Sequence, residues 1–356
     1  MSFHGTGVDM SMQIGARVLA AVTVVAAAVS VVPPANATAG NQATAAERLD
    51  SQTKVRLASY NICKADCPTA PVSWSARRKA VFKTLRKSRA DVMAVQEVST
   101  KYAQRTQLAR AMDKSGYTLA SDGLVRRPAD AGCTETCVRT TGILFKRGTV
   151  QNLQLPTGGP GSGVVSLKSL TGAAAWGNIP DRTFSWALLE HVPTRQPFLV
   201  ASVHFANEKT PLGERSRQAS ARAVAEWLRN SARQWGFANI PLVVAGDLNS
   251  FELRNPRGAQ RIFSQDGFVD GYDARRHKKG HFPTANHAYG SGGWPASPPT
   301  FTGEPPRIDY IFAAGVGQPV TYGVAVKQLR NGKFNPKYRG SDHNLVWSDW
   351  RFPQAN

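Results

Sequence analysis

The polar and hydrophobic positions of the chain follow two different periods. Between Lys54 and Asn61, Val55, Leu57 and Ser59 alternate with Arg56, Ala58 and Tyr60, and this period of two predicts a strand. Over residues 74–88 the apolar positions return at near-helical spacing instead, which predicts an amphipathic helix. The opposite side of this helix is basic and is expected to be a solvated face, formed by Arg77, Arg78, Lys79, Lys83, Arg86 and Lys87.

The same patterns place the remaining elements. Strands are predicted over residues 91–96, 141–145, 183–191, 197–204, 240–245, 307–313, 320–326 and 345–350, and helices over 101–114 and 214–234. The glycine- and proline-rich segments 156–163 and 278–306 are predicted to be loops, and the second is long enough to be functional. Since much of the sheet lacks intervening helices, a two-layered β core flanked by helices is favoured over a doubly wound parallel sheet.

The amino terminus is typical of a secretory signal peptide. Arg17 precedes an apolar run over residues 18–32, and small residues at 35–39 offer cleavage sites. A transmembrane anchor is the alternative, but the run is short for a span of roughly 20 residues. We therefore predict a signal peptide over 1–39, a flexible mature amino terminus over 40–53, and one catalytic domain over 54–352 of a secreted protein.

The chain is strongly basic. It has 44 Lys and Arg against 24 Asp and Glu, which gives a formal net charge of +20. Such a surplus favours an anionic partner: nucleic acid, an anionic membrane or an acidic wall polymer. General solubility or retention at the cell surface are the alternatives, and charge alone does not separate them.

The four cysteines form two local pairs, Cys63 with Cys67 and Cys133 with Cys137. Export makes disulfides the expected state, and two local bridges are the simplest of three connectivities. A four-thiolate zinc site is the alternative. Zinc ligands more often occur as tighter Cys-x-x-Cys pairs, which favours the disulfides.

Four short segments bring carboxylates to predicted strands or their ends. They are 95–98 with Glu97, 246–250 with Asp247, 307–312 with Asp309, and 340–344 with Asp342 and His343. Acids at the rim of a buried sheet rarely serve packing. Together they are what a divalent-metal site for phosphate-ester cleavage requires.

The individual residues suggest how such a site is built. Asp247 and Asn249 are two apart in an extended segment, so they are expected to face the same space; capping of the following turn is the alternative. Asp309 lies within an apolar run, where an unpaired acid is costly. His343 is its expected partner, in a catalytic or a purely structural pair. Glu97 resembles a hard oxygen ligand for Mg²⁺ or Ca²⁺.

In this order along the chain, the motifs resemble those of the endonuclease/exonuclease/phosphatase superfamily. They are Asn61, Gln96-Glu97, His204, Gly246-Asp247-Leu248-Asn249, Ile308-Asp309-Tyr310 and Ser341-Asp342-His343. The superfamily includes secreted deoxyribonucleases of the pancreatic type, abasic-site endonucleases, bacterial sphingomyelinases and inositol-phosphate phosphatases. The resemblance covers about 55–350 and implies a four-layer α/β sandwich, with two packed, mainly antiparallel sheets flanked by helices.

The resemblance also implies a metal site and a reaction. Glu97 binds the essential cation, with Asn61 and Asp342 as further groups of that site. The expected cation is Mg²⁺, with Mn²⁺ or Ca²⁺ as alternatives. The reaction is an in-line attack of water on phosphorus.

Five residues are implied in catalysis or phosphate binding. His343, oriented by Asp309, acts as general base or stabilises the phosphorane. Asp247 orients or deprotonates the attacking water, or protonates the leaving oxygen. Asn249 and His204 hold phosphate oxygens, and His204 is a further catalytic candidate.

In pancreatic-type deoxyribonucleases a Glu partners the histidine that matches His204. Residues 137–142 contain no acid, which favours phosphate binding as the role of this histidine.

The expected substrate is DNA or RNA, read by its backbone and not by its sequence. Basic residues near the predicted catalytic loops are Arg139, Arg215, Arg217, Arg254 and Arg257. A sphingomyelinase-like phospholipase C is the first alternative, with a membrane-dipping loop around Tyr289, Trp294 and Phe301. A small-molecule phosphatase and a non-catalytic binder follow. The protein is expected to be a monomer with no obligate protein partner.

Overall fold

The structure is a computed structural model that describes residues 53–354, apart from 69, 71, 122–138, 253–254, 279–280, 287–293 and 300–304. The predicted signal peptide, Cys133, Cys137 and about half of the predicted 278–306 loop lie outside these residues. No helix within them combines the length and the hydropathy of a membrane span.

Strands and helices are interspersed along the described chain. The strands are β1 (Lys54–Asn61), β2 (Val92–Ser99), β3 (Tyr117–Ser121), β4 (Arg139–Lys146), β5 (Val150–Asn152), β6 (Ser162–Ser166), β7 (Thr183–His191), β8 (Gln196–His204), β9 (Leu242–Asp247), β10 (Val269–Asp270), β11 (Arg276–Lys278), β12 (Asp309–Ala314), β13 (Thr321–Val324) and β14 (Val346–Arg351). The α-helices are α1 (Trp74–Ser88), α2 (Gln104–Asp113), α3 (Leu167–Thr171), α4 (Pro211–Gln234) and α5 (Ala259–Gln265).

The strands form two sheets. The first has the order β11-β13-β14-β1-β2-β4-β3, and the second has the order β10-β12-β9-β8-β7-β5, with β6 also paired to β7. Neighbouring strands are antiparallel except in the pairs β1–β2, β11–β13 and β8–β9. The predicted pair of mainly antiparallel sheets is thus confirmed.

Three apolar clusters hold four layers together. The central one joins the facing sides of both sheets, with Val55 and Leu57 from the first sheet and Val243 and Ala245 from the second. A second cluster lies between the first sheet and helices α1 and α2. The third lies between the second sheet and helices α3, α4 and α5. The fold is the predicted α/β sandwich with helices outside.

Several element boundaries differ from those predicted. Helix α4 begins at Pro211, three residues early, because the Thr210 side chain caps it by accepting from the Gly213 N–H. The predicted 156–163 loop ends early, since its last two residues belong to β6. Helices α3 and α5 and the strands β3, β5, β6, β10 and β11 were not predicted. Most of these elements are too short for a clear period.

The prediction that Arg77 belongs to a solvated face is wrong. This side chain is 2 % exposed. Helix α1 is therefore amphipathic with one buried cation on its apolar side, which the spacing of apolar residues did not show.

Gly246 occupies a place in β9 where the neighbouring strand leaves no room for a side chain. A Cβ at this position would lie 2.0 Å from the Val203 carbonyl oxygen of β8. We expect Gly246→Ala to lower the free energy of unfolding by about 1–3 kcal/mol, because either strand has to shift. Urea unfolding provides the measurement.

Gly317→Ala is the matched control, because a Cβ there meets nothing within 4 Å. Its effect is expected to stay within about 0.5 kcal/mol, as for an ordinary surface change. Equal stabilities of the two variants would contradict the close approach of β8 and β9.

Candidate active site

One end of the space between the two sheets is polar. Side chains alternate between the two faces of a strand, so every second residue continues the row that faces the other sheet. At this end the rows change from apolar to polar: Ser59 and Asn61 of β1, Gln96 of β2, Ser202 and His204 of β8, Asp247 of β9 and Asp309 of β12. The strand directions bring these side chains to the same edge of the sandwich.

Hydrogen bonds join the two sheets beneath this edge. The Gln96 amide donates to the Ser202 hydroxyl at 3.3 Å and accepts from the Ser59 hydroxyl at 3.4 Å. The Thr141 and Ser185 hydroxyls lie 2.9 Å apart nearby. These buried groups satisfy one another, so they form a floor for the charged residues above.

Two carboxylates and an imidazole form the centre of the site. Asp247 and Asp309 lie opposite each other on the antiparallel strands β9 and β12. His343 Nδ1 is 2.9 Å from Asp309 Oδ2, and its Nε2 is 3.8 Å from Asp247 Oδ2. All three residues are buried. The prediction had Asp309 in the middle of its strand, but it is the first residue of β12, which is why it reaches the polar edge.

The three groups shift one another's protonation. Burial and the charge of Asp309 raise the pKa of Asp247 to about 7. Burial by itself would lower the pKa of His343, but the charge and hydrogen bond of Asp309, with the charge of Asp247, hold it well above its ordinary value. Near neutral pH the site therefore holds a cationic imidazole beside a carboxyl group that is partly ionised.

Glu97 is turned toward the site by a bulge. Its φ is +58°, and the register of β2 on β4 shifts between Val95 and Val98. Such a bulge re-aims a side chain out of the regular alternation. The carboxylate accepts hydrogen bonds from Asn61 Nδ2 at 3.3 Å and from the Lys64 N–H at 2.9 Å.

The surroundings keep Glu97 ionised. Burial acts to raise its pKa, but the charge of His204, the Lys64 N–H bond and the charge of His343 outweigh burial and lower it. The nearby charge of Asp342 opposes them and raises the pKa of Glu97. The two carboxylates, which repel each other, are a donor pair that suits a hard divalent cation. The Asn61 amide turns its nitrogen toward Glu97, while its Oδ1 accepts from the Cys63 N–H at 3.0 Å.

The loop that carries Asp342 is tied to the end of β1. The Ser341 hydroxyl donates a hydrogen bond to the main-chain carbonyl of Asn61 at 2.6 Å, and it accepts one from the His343 N–H at 3.2 Å. The structure therefore brings the three predicted metal groups, Glu97, Asn61 and Asp342, to adjoining strand ends. Asn61 Nδ2 also donates to Asp247 Oδ2 at 3.1 Å, which links this group to the acid–histidine cluster.

A second donor set is present in the same site. The nearest donor atoms of Asp247, Asp309 and His343 all lie within 4.8 Å of one another. Asp309 Oδ1 is buried and has no hydrogen-bond partner among the described residues. A cation placed here would satisfy that oxygen, but it would need a neutral His343, so it would compete with the proton that the site holds on this imidazole.

A disulfide closes the loop after β1. Cys63 and Cys67 are bonded, as predicted. Both sulfurs lie close to Asp342, but a sulfur in a disulfide is not a thiolate and does not ligate a metal. The zinc interpretation is therefore wrong for this pair, while Cys133 and Cys137 lie outside the described residues.

His204 and Asn249 flank the centre from the end of β8 and from the turn after β9. His204 Nε2 is 3.5 Å from Asp247 Oδ2. Asn249 has a φ of +48°, and its amide donates to the Phe205 carbonyl at 3.1 Å. The Asn249 N–H also donates to Asp247 Oδ1 at 2.8 Å, so the turn cap considered as an alternative coexists with the site.

Arg182 was not predicted. It precedes β7, and its Nη1 lies 3.4 and 3.5 Å from the two ring nitrogens of His204, so the guanidinium covers the imidazole. Its Nη2 donates to Asn207 Oδ1 at 3.0 Å. A single Arg before a strand carries no motif, and only the pairing of β7 with β8 brings it to His204.

Arg77 was also missed as a residue of the site. Its guanidinium donates to the carbonyls of Ile62, Cys63 and Lys64 after β1, and to that of Gly340 before the Asp342 loop, at 2.5–2.9 Å. One buried cation thus fixes two loops: the loop after β1, whose Lys64 N–H binds Glu97, and the loop that carries Asp342. Charge-assisted bonds of this kind are stronger than neutral ones.

The arginines proposed to track a substrate have different environments. Arg215 and Arg257 are exposed. Arg217 is 2 % exposed and binds Glu214 and the carbonyls of Ala206 and Glu208, so its expected role in substrate contact is wrong. The side chains of Arg139 and Arg254 lie outside the described part of the chain.

Fold and site together define a metal-dependent phosphoric ester hydrolase built as an α/β sandwich. A sequence model of the Endonuclease/Exonuclease/phosphatase family matches residues 58–343. The chain belongs to this family.

Solved structures of the same fold span bacteria and animals. An endonuclease/exonuclease/phosphatase from Bacteroides vulgatus is 19% identical, with a TM-score of 0.63 over 84% of this chain and 99% of that one. A mannosyl-6-phosphatase from Bacteroides thetaiotaomicron is 19% identical, with a TM-score of 0.58 over 84% and 100%. The human Nocturnin catalytic domain with bound sulfate is 17% identical, with a TM-score of 0.55 over 84% and 94%. Among curated proteins, none matches the chain in sequence.

The pKa values predict a pH profile. If ionised Asp247 is needed for activity, kcat/KM falls as the pH drops below about 7. Because Asp309 raises the pKa of both Asp247 and His343, we expect Asp309→Asn to shift the whole profile toward lower pH. The measurement is kcat/KM against pH at saturating metal.

Asp349→Asn is the control for this profile. Asp349 is equally buried but pairs with Arg56 at 2.6 Å, away from the acid–histidine cluster. Its profile should match that of the wild type. If Asp309→Asn did not shift the pH profile of kcat/KM, the Asp309 carboxylate would not control the titrating groups.

Removal of the Arg77 charge tests the clamp on the two loops. We expect Arg77→Met to lower the free energy of unfolding by about 2–4 kcal/mol, because four carbonyls lose a charged donor. Metal affinity should also fall, about 10-fold, as the Lys64 N–H and Asp342 lose their fixed positions. Urea unfolding and metal titration measure the two effects.

Arg78→Met is the matched control, since the neighbouring Arg78 is half-buried and donates to Gln107 instead. It should retain the wild-type metal affinity. Equal metal affinity in both variants would remove Arg77 from the organisation of the site.

Proposed function

We propose that the chain is a secreted, metal-dependent phosphodiesterase that hydrolyses DNA by in-line attack of water. The observation that carries this proposal is the contact of Asp309 with His343, opposite Asp247 and beside Glu97. Such an arrangement supports proton transfer at phosphorus, and the net charge of +20 supports a polyanionic substrate. RNA is the second candidate substrate, because its backbone carries the same phosphodiester group.

Glu97, Asn61 and Asp342 are proposed to hold the cation. The carboxylate oxygens of Glu97 and Asp342 suit Mg²⁺, and Mn²⁺ or Ca²⁺ would fit the same donors. Asn61 would orient Glu97 through its Nδ2. When bound, the metal neutralises charge that develops on the phosphoryl oxygens. The Asp247–Asp309–His343 cluster is the alternative position, and metal affinities of Glu97→Ala and Asp309→Ala distinguish the two.

Asp247 is proposed as the group that accepts the proton of the attacking water. Its pKa of about 7 matches proton transfer near neutral pH. As the water oxygen bonds to phosphorus, the bond to the leaving oxygen breaks. His343, held cationic by Asp309, faces the growing negative charge of the phosphorane and stabilises it. Its raised pKa favours this role over that of general base.

Three further residues are proposed to hold the substrate phosphate. His204 and Asn249 flank Asp247, and Arg182 adds a cation across the His204 ring. Guanidinium groups suit phosphate because their donors form a planar fork. Arg182 in this position favours phosphate binding over proton donation for His204.

Secretion is proposed from the amino-terminal signal sequence. The Cys63–Cys67 disulfide supports it, because disulfides persist mainly in exported proteins. The positive charge is compatible with retention at an anionic cell surface.

A small-molecule phosphatase is the second candidate. The likeness to the Bacteroides thetaiotaomicron mannosyl-6-phosphatase favours it, since the two structures share the fold over most of both chains. A sphingomyelinase-like activity is the third candidate, and a binder without catalysis is the last.

Parallel assays separate these candidates. We expect the mature protein to degrade plasmid DNA with Mg²⁺ or Mn²⁺, and EDTA to abolish the activity. His343→Ala should lower the rate by at least about 100-fold while the fold and metal binding persist. RNA, sphingomyelin and mannose 6-phosphate serve as the competing substrates.

Each competing outcome has a distinct meaning. Intact DNA together with cleavage of sphingomyelin or mannose 6-phosphate would replace the nuclease proposal by the corresponding alternative. Unchanged turnover of His343→Ala would remove His343 from the mechanism. Inactivity on every substrate would favour a binder.

A further inference from the structure

Two stretches of the chain carry cations without acids. Residues 74–89 and 325–340 contain no Asp or Glu. We call their exposed and half-exposed cations the basic surface, leaving out Arg339 because its Nε and Nη2 are buried. The basic surface consists of Arg78, Lys79, Lys83, Arg86, Lys87, Arg89, Lys327, Arg330, Lys333 and Lys337. These ten charges equal half of the formal net charge of +20.

The two stretches contact each other along helix α1. The Thr84 hydroxyl donates to the Tyr338 carbonyl at 2.8 Å, and Lys83 Nζ lies 4.4 Å from the centre of the Tyr338 ring. Gly340 packs so closely on Val81 that a Cβ there would lie 2.4 Å from a Val81 methyl carbon. The cations of the helix and of the 325–340 segment therefore belong to one continuous surface.

The basic surface leads to the catalytic centre. A cavity between α1 and the 325–340 segment is lined by Thr84, Lys327 and Tyr338, and also by His343. The chain itself continues from this segment directly into the 341–343 loop. One end of the basic surface thus lies beside the loop that carries His343.

The charges of the basic surface are not neutralised within the described structure. None of the ten cations forms an ion pair with an acid among the described residues. On the opposite layer, by contrast, Arg217 and Arg229 of α4 pair with Glu214 and Asp266. Unpaired like charges held side by side repel each other, and a bound anion would relieve that repulsion.

The dimensions suit a nucleic-acid backbone. Helix α1 has 15 residues and is about 22 Å long, which matches about six phosphates of one DNA strand at about 3.4 Å each. A membrane surface is less suited, because interfacial helices need an apolar face beside their cations. Leu329 is the one large hydrophobic residue of these stretches counted as exposed in the described chain.

We propose that the basic surface binds the phosphate backbone of duplex DNA and leads it to His343. This inference rests on the proposed nuclease function and adds a substrate track outside the reaction centre. It assigns a role to α1 and the 325–340 segment, which hold no residue of the acid–histidine cluster.

Charge reversal at two exposed positions tests the track. Lys333→Glu/Lys337→Glu changes only side chains, since the hydrogen bonds of both residues to Asn331 and Asn335 use main-chain N–H groups. The control is Arg222→Glu/Arg233→Glu on the exposed side of α4, in the opposite outer layer. Both double variants lower the net charge from +20 to +16, so they remove the same charge from different layers.

Binding of a fluorescent 20-base-pair duplex is measured by anisotropy at several salt concentrations, in the His343→Ala background. The track variant should bind at least about 10-fold more weakly. Its slope of log K against log salt should be smaller by about two, since each lost phosphate contact removes about 0.9. The control should stay within twofold of its parent. In the presence of wild-type His343, both variants should keep the parental turnover of bis(p-nitrophenyl) phosphate.

The outcomes separate the track from the activity. Equal loss of duplex binding in both variants would mean that only net charge matters, and would overturn the track. A track variant that loses binding to phosphatidylserine vesicles but not to the duplex would replace it by a membrane surface. Wild-type protein that binds the duplex through this surface but leaves it intact would overturn the nuclease activity and not the track.

Discussion

The site depends on one electrostatic constraint: two buried carboxylates face each other across neighbouring strands. Asp247 and Asp309 are paired in the register of β9 and β12, and neither is solvated enough to carry its charge without compensation. His343 supplies that compensation by its contact with Asp309. The result is a raised pKa for both Asp247 and His343, so the arrangement that resolves the repulsion also prepares a proton acceptor and a cation.

The architecture makes this arrangement possible without exposing the apolar core. The facing rows of both sheets are apolar along most of their length and become polar at one edge. Hydrogen bonds through Gln96 and Ser202 satisfy the first polar layer. Above it, Arg77 and the Cys63–Cys67 disulfide hold the loop that follows β1. The reaction centre is therefore fixed by groups that do not take part in the chemistry.

Chemistry and substrate choice are separated in this molecule. The acid–histidine cluster, which is proposed to act on phosphorus, has no feature that selects DNA, a lipid or a sugar phosphate. Selectivity has to come from the surroundings, where the positive charge is unevenly paired. Helix α4 neutralises part of its cations with acids, whereas the basic surface does not. An extended polyanion is the kind of substrate that such a surface distinguishes from a small phosphate.

The sequence by itself determined the long strands, helices α1, α2 and α4, and the set of acids, amides and histidines. Periodicity and strand-end position report these features directly. The shortest elements have no period, so they were missed. Arg77, Arg182 and Arg217 show what only the tertiary structure decided. Whether an arginine meets water, carbonyl groups or a histidine depends on which loop or strand packs beside it. Local spacing shows that a side chain is polar, but only the packing of distant segments decides what it contacts.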